Sequence, residues 1–151
     1  MTTSGRADDE QAGWQAKRQA AAEEHVAVLA RRRAAESVQA RAQLDAFVQA
    51  ARDRGLTTSD LRAGAFNGRT TYRTGLTGWY LKRNGSLAVD TDGNYYVLSV
   101  ETSLRARLTG ATVTASDPPL VVGVGARDGE SMPLQHLLDL RLDAGDDWLR
   151  S

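Results

Sequence analysis

The sequence predicts an α+β fold: a long N-terminal helix, an antiparallel β-meander in a strongly bent sheet of about five or six strands, and a short C-terminal helix. Three observations carry this. Between Asp8 and Arg54 there is no proline and a single glycine, Gly13. Residues 78–101 carry short apolar runs separated by two turn signals, Asn84-Gly85 and Asp90-Thr91-Asp92-Gly93. Near the C-terminus, Leu134, Leu137 and Leu138 recur at helical spacing.

Residues 1–7 are read as a disordered N-terminus and residues 8–55 as the helix. Alanine, glutamate, glutamine and arginine dominate this stretch, and all favour helix. Asp8, Asp9 and Glu10 suit the positive end of the macrodipole, and Arg52 and Arg54 the negative end. Gly55 can take the left-handed conformation that stops a helix.

The two halves of this helix differ. In the C-terminal half, Val38, Leu44, Phe47, Val48 and Ala51 supply a stripe for packing on the sheet. The N-terminal half offers mainly alanines, with Val26 and Leu29 as its candidate aliphatic contacts. Alanine buries little area, so this half is expected to project and to meet a partner. A heptad frame through Val26, Ala30, Arg33, Ser37, Ala40, Leu44 and Phe47 has too many small or polar members for a stable coiled coil. That frame gives self-association no support.

Residues 56–151 are read as an α+β body. Residues 56–78 look like connection, with Ser59 capping a short turn and Tyr72 starting a strand. Gly78–Arg83 and Ser86–Asp90 form a hairpin across a two-residue Asn84-Gly85 turn. A type I turn with a glycine bulge then leads into Asn94–Glu101. This register sets Tyr80 opposite Val89 and Val89 opposite Tyr95, and makes both sheet faces apolar. Residues 103–109 fit either a strand or a short helix capped by Ser103. Ala111–Ala115 and Leu120–Val124 are expected strands. Ser131 is expected to cap the last helix, with Leu134, Leu137, Leu138 and Arg141 facing inward.

The composition removes several function classes. With no cysteine, disulfides, thiolate metal sites and cysteine nucleophiles are excluded. Nineteen basic residues balance nineteen acidic ones, so no global charge draws the chain to nucleic acid or to an anionic membrane. The acidic start does not fit a signal peptide, and no apolar run reaches the roughly 20 residues needed to cross a bilayer. A bacterial cytoplasm is the expected setting, with arginine favoured over lysine in the manner of a GC-rich genome.

Motifs resolve mostly into structure. Gly123-Val124-Gly125-Ala126-Arg127-Asp128-Gly129 follows a strand, yet too little chain follows to complete a dinucleotide-binding unit. Asp90 to Asn94 resembles the start of a calcium loop but lacks the closing glutamate. His25 and His136 have no neighbouring nucleophile. No cofactor or metal is expected.

Two surfaces remain as candidates. Arg31, Arg32 and Arg33, with Val26 and Leu29, make the helix a partner-binding candidate. Three consecutive arginines spread around the helix rather than forming one stripe. Trp79, Tyr80, Tyr95 and Tyr96 form an aromatic sheet face, either core or a stacking platform for bases. The expected function is therefore a non-catalytic binding or adaptor protein, its N-terminal helix docking another protein or a second copy. RNA or DNA binding by the arginines and the aromatic face is the alternative. A small hydrolase or transferase is a third class without positive support.

Overall fold

The computed structural model describes residues 3–123 and 131–149. It divides into two units, Met1–Ala35 and Glu36–Ser151. The fold is α+β, as predicted. The first helix, α1, spans Thr3–Asp53 and so begins before Asp8. It ends as the glycine requires: Gly55 has φ 67°, its N–H donates to Arg52 O, and the Leu56 N–H donates to Ala51 O. These two bonds are a Schellman stop, and they satisfy carbonyls that the last turn would otherwise leave open.

The second unit is built around a sheet of five strands in the order β4-β3-β2-β1-β5. These are β1 Ser59–Ala65, β2 Thr71–Tyr80, β3 Leu87–Asp90, β4 Tyr95–Val97 and β5 Ser99–Val100. The segment expected to be connection is thus largely strand, and β1 replaces the predicted capped turn. Neighbours pair antiparallel except β5, which runs parallel to β1. Only Leu98 separates β4 from β5. Its N–H donates to Ser86 O while its carbonyl accepts from Gly64 N. One stretch of chain, residues 95–100, therefore bonds to β3 on one side and to β1 on the other. The sheet curls until its edges meet, which removes the open edges that invite foreign strands.

Closure gives the sheet an inside and an outside, and the apolar residues divide accordingly. Leu61, Ala63, Ala88, Tyr96 and Leu98 form one buried cluster, joined by half-buried Tyr80, Val100 and Val113. Trp79, Leu81, Leu87, Val89 and Tyr95 belong to the other. On that side pack Ala40, Leu44, Phe47, Val48 and Ala51 of α1 and Leu134, Leu137 and Leu138 of the last helix. Phe47 meets Trp79 edge to face, with centroids 6.1 Å apart, a favoured geometry for the ring quadrupoles. Val38, expected on this stripe, is 70% exposed; about 100° of turn per residue carries it well off the Leu44–Phe47 face.

The first hairpin departs from its predicted register. Trp79, not Tyr80, lies opposite Val89, and Tyr80 lies opposite Ala88. A two-residue type I′ turn needs positive φ at both central positions, and among the described residues only glycines have positive φ. Asn84 instead holds the loop by its side chain, its Oδ1 accepting from Ser86 N and Oγ. The Gly85 N–H donates to Lys82 O. The longer loop moves the pairing by one residue. The second turn forms as predicted, with Gly93 at φ 89° and Val89 opposite Tyr95.

Residues 104–109 are helical (α2, Leu104–Thr109), capped by Ser103 Oγ and stopped at Gly110. Residues 111–115 form no strand; Ala111 N donates to Arg73 O, and Ser116 N to Tyr95 O, as single bonds. The closed sheet has no long edge left for them. Val121–Val122 (β6) pairs with Met132–Pro133 (β7), and the last helix, α3, spans Leu134–Ala144. Ser131 does not cap it: Pro133 stands at the N-cap without a side-chain bond, because the residues before the helix are used as strand. Leu134, Leu137, Leu138 and Arg141 are its buried residues, matching the predicted inner face. A 3-10 turn, Gly145–Leu149, follows and brings Trp148 into a buried position. Of the glycine-rich motif, Gly123 is described, and Val124 to Gly129 lie outside the described residues.

Candidate functional site

The strongest candidate is the helical segment of the first unit. From residue 5 to residue 35 every side chain is exposed except Val28, which is half-buried. Helix persistence here rests on local propensity, because tertiary burial supplies nothing. Val26 is 64% exposed and Leu29 38%. Arg31, Arg32 and Arg33 are exposed as well, and successive positions send them in different directions. The five candidate residues thus lie within two helical turns but do not share one face.

Trp14 is a further exposed residue of this segment, not among the candidates taken from the sequence. It is 65% exposed, and the Arg18 guanidinium sits 5.4 Å from its ring centroid. The signal was available: a Trp and an Arg four residues apart meet on a helix surface. Exposed cation–π pairs contribute only about 0.5–1 kcal/mol, enough to orient the indole but not to hide it.

The aromatic candidates lie elsewhere and do other work. Trp79, Tyr95 and Tyr96 are 2%, 5% and 7% exposed. Their faces are covered by core, so none is a platform on which a base could stack. The Trp79 indole N–H donates to Leu56 O at 3.1 Å. Tyr80 is half-buried, and its hydroxyl accepts from Arg62 N at 2.8 Å, filling the bulge where β1 slips against β2. Tyr96 donates its hydroxyl to Asp90 Oδ2 at 3.0 Å. Burial first, then the Asp90 hydrogen bond, raises the Tyr96 pKa. Burial pushes Tyr95 up to about 12.

The apparent calcium loop is explained by the same carboxylate. Asp90 Oδ1 accepts from the N–H groups of Asp92 and Asn94, while Oδ2 accepts from Asn94 Nδ2 and Tyr96. Every oxygen a cation would need from Asp90 is already holding the turn together. Among the described residues, no three His, Cys, Asp or Glu side chains gather as a metal site.

A groove of about 650 Å³ in the second unit runs beside α3. Leu81, Val122, Met132, Leu137 and Trp148 line it, with Lys82, Arg83 and Arg141 at its polar side. Arg141 is buried; its Nε donates to Tyr80 O and its Nη1 to Gly145 O, both at 2.9 Å. Its guanidinium also lies 4.5 Å from the Trp148 centroid. The described lining holds no carboxylate, histidine or hydroxyl side chain, and Lys82 is its residue of a type that serves in general acid–base chemistry. His25 and His136 are both exposed.

Comparison with protein-family models, with curated proteins and with solved structures finds no match to this chain. No helix among the described residues is long and apolar enough to cross a membrane.

Proposed function

We propose that this chain is a non-catalytic binding protein whose N-terminal helix docks on another protein. One observation carries the reading: about thirty consecutive residues hold helical form while their side chains, Val26 and Leu29 included, stay exposed. Exposed aliphatic and aromatic side chains on a preformed helix are the usual currency of helix-in-groove or helix-to-helix recognition. The body of residues 36–151 then serves as the folded carrier. A cysteine-free, arginine-rich composition favours a bacterial cytoplasm as the place where this happens.

Nucleic-acid binding is disfavoured by the burial of Trp79, Tyr95 and Tyr96, which takes away the stacking half of that reading.

The test is substitution of Val26→Asp together with Leu29→Asp in the intact chain. The protein-docking reading predicts loss of the complex recovered by chemical cross-linking from cells, with folding of the body unchanged. If the doubly substituted chain keeps its complex, and that complex contains nucleic acid and dissolves steeply with salt, the reading is wrong.

A further inference from the structure

The charges of the exposed helix are arranged about a point between Ala20 and Ala21. Asp8, Asp9 and Glu10 stand as far before that point as Arg33, Arg32 and Arg31 stand after it. Lys17 and Arg18 likewise mirror Glu24 and Glu23. Every mirrored pair is opposite in sign, and these ten are all the Asp, Glu, Lys and Arg residues from position 8 to position 33.

A helix cannot satisfy such pairs by itself. Residues 8 and 33 are roughly 37 Å apart along the axis at 1.5 Å per residue. Lys17, Arg18, Glu23 and Glu24 have no oppositely charged residue three or four places away, the only spacings that meet on one helix. Two copies laid antiparallel satisfy those pairs that lie on their facing sides, because a two-fold axis at the midpoint sets each residue level with its mirror. A closed dimer requires a surface complementary to itself, and this pattern of sign has that property. Parallel pairing would instead set Arg31 to Arg33 against the same three arginines.

Resting on the docking reading above, we infer that the partner of this helix is a second copy of the chain, paired antiparallel over residues 8–33. At about 100° per residue, Ala12, Ala16, Ala20, Ala27 and Ala30 fall within roughly 40° of one direction. Glu10, Lys17, Glu24 and Arg31 flank that direction on one side, and Asp8 and Arg33 on the other. Glu10 meets Arg31, Lys17 meets Glu24 and Asp8 meets Arg33, each pair twice in the dimer. Asp9 and Glu23 lie on the alanine face itself, within about 20° of its centre, and their mirror partners Arg32 and Arg18 lie on the opposite side, so these two pairs attract only at longer range. Val26 lies on the Asp8–Arg33 flank, whereas Leu29 and Trp14 point about 140° and about 160° away from the alanine direction and stay outside this pairing. The alanines share the space between the flanks with Asp9 and Glu23, which limits how closely the two helices approach; the flanking charges set the register and the direction.

The experiment uses the full chain. One variant carries Arg31→Glu, Arg32→Glu and Arg33→Glu; another carries Asp8→Arg, Asp9→Arg and Glu10→Arg. Sedimentation equilibrium should find the parent as a dimer that weakens with added salt. Each variant alone should bind itself at least about tenfold more weakly, because attraction is replaced by repulsion at both ends. An equimolar mixture of the two should recover the dimer, which also excludes misfolding as the cause of the loss. Direction is read separately. The chain has no cysteine, so Ala12→Cys mixed with Ala30→Cys should form a disulfide between copies, while Ala12→Cys alone should not.

A parent that stays monomeric at high concentration overturns the inference, as does dimerisation indifferent to both charge reversals. In either case, loss of a complex with a different protein on Val26→Asp and Leu29→Asp substitution would leave the docking reading standing. Persistence of every complex after those substitutions would remove that reading as well.

Discussion

Asp146 holds Thr57 through two hydrogen bonds: its Oδ1 accepts from the Thr57 N–H and its Oδ2 from the Thr57 hydroxyl, both at 2.9 Å. The pair fastens the 3-10 turn at the C-terminal end to the chain just beyond α1. Both bonds favour the charged carboxylate, so the Asp146 pKa lies below its ordinary value of 3.8. A depressed carboxylate pKa means stability that is complete above the ordinary range and is lost as pH falls through the folded value. Asp146→Asn should therefore be less stable than the parent near neutrality, and the two should converge in acid. Unfolding curves at a series of pH values measure this; curves that stay parallel into acid would contradict it.

Tyr95 predicts the opposite limb. Its phenol is held neutral by burial, with its pKa pushed from 10.0 to about 12. The folded state binds this proton more tightly than the unfolded state, so stability is complete below pH 10 and falls as pH rises toward about 12. Tyrosinate absorbance should lag in the folded chain, and unfolding should accompany the late phase. Early, reversible titration of all four tyrosines without unfolding would count against the packing described.

Gly78 lies opposite Asp90 in the β2–β3 ladder. A Cβ at this position would stand 2.1 Å from Val89 O and 2.7 Å from Asp90 Cα. Backbone cannot yield as a flexible side chain can. Gly78→Ala should cost more than about 3 kcal/mol, as overpacking with displaced strands does. Denaturant unfolding reads the loss; a change within about 0.5 kcal/mol, the range of an ordinary surface site, would be inconsistent with this register.

The contrast between the two halves of α1 is also measurable. Leu44 is fully buried, and Leu44→Ala should cost about 2–5 kcal/mol from lost transfer energy and the cavity left behind. Val26→Asp should change body stability by no more than about 0.5 kcal/mol. Comparable losses at both positions would show that residue 26 is packed against something in the isolated chain.

Much of this organisation is legible in the residues, but not all of it. The buried face of α3 follows from Leu134, Leu137, Leu138 and Arg141 at helical spacing, and the end of α1 follows from Gly55. Strand β1 was hidden because the buried positions of its alternation, Leu61, Ala63 and Ala65 around Arg62 and Gly64, are mostly alanine, and alanine and glycine are weak strand formers. The Asn84-Gly85 dipeptide marks a hairpin without fixing its loop length, since Asn84 can hold a longer loop by its side chain as readily as it enters a tight turn. Closure of the sheet depends on residues 95–100 bonding on both sides, a non-local fact that period-two patterning does not encode. In the candidate helix, exposure was readable from the lack of large side chains. Trp14 and the mirrored charges were present in the sequence and became informative once residues 3–53 were seen as one helix.

The most direct measurement places a photoreactive side chain at Val26, and separately at Ala30, in the intact protein inside cells. After irradiation, the cross-linked peptides are identified by mass spectrometry. The account predicts adducts at these positions to a defined protein segment, with matched positions on the body, such as Leu104, yielding none to that segment. Irradiation that leaves residues 26 and 30 without any protein adduct, or that links them only to nucleic acid, would contradict the claim that this helix is a protein-docking element.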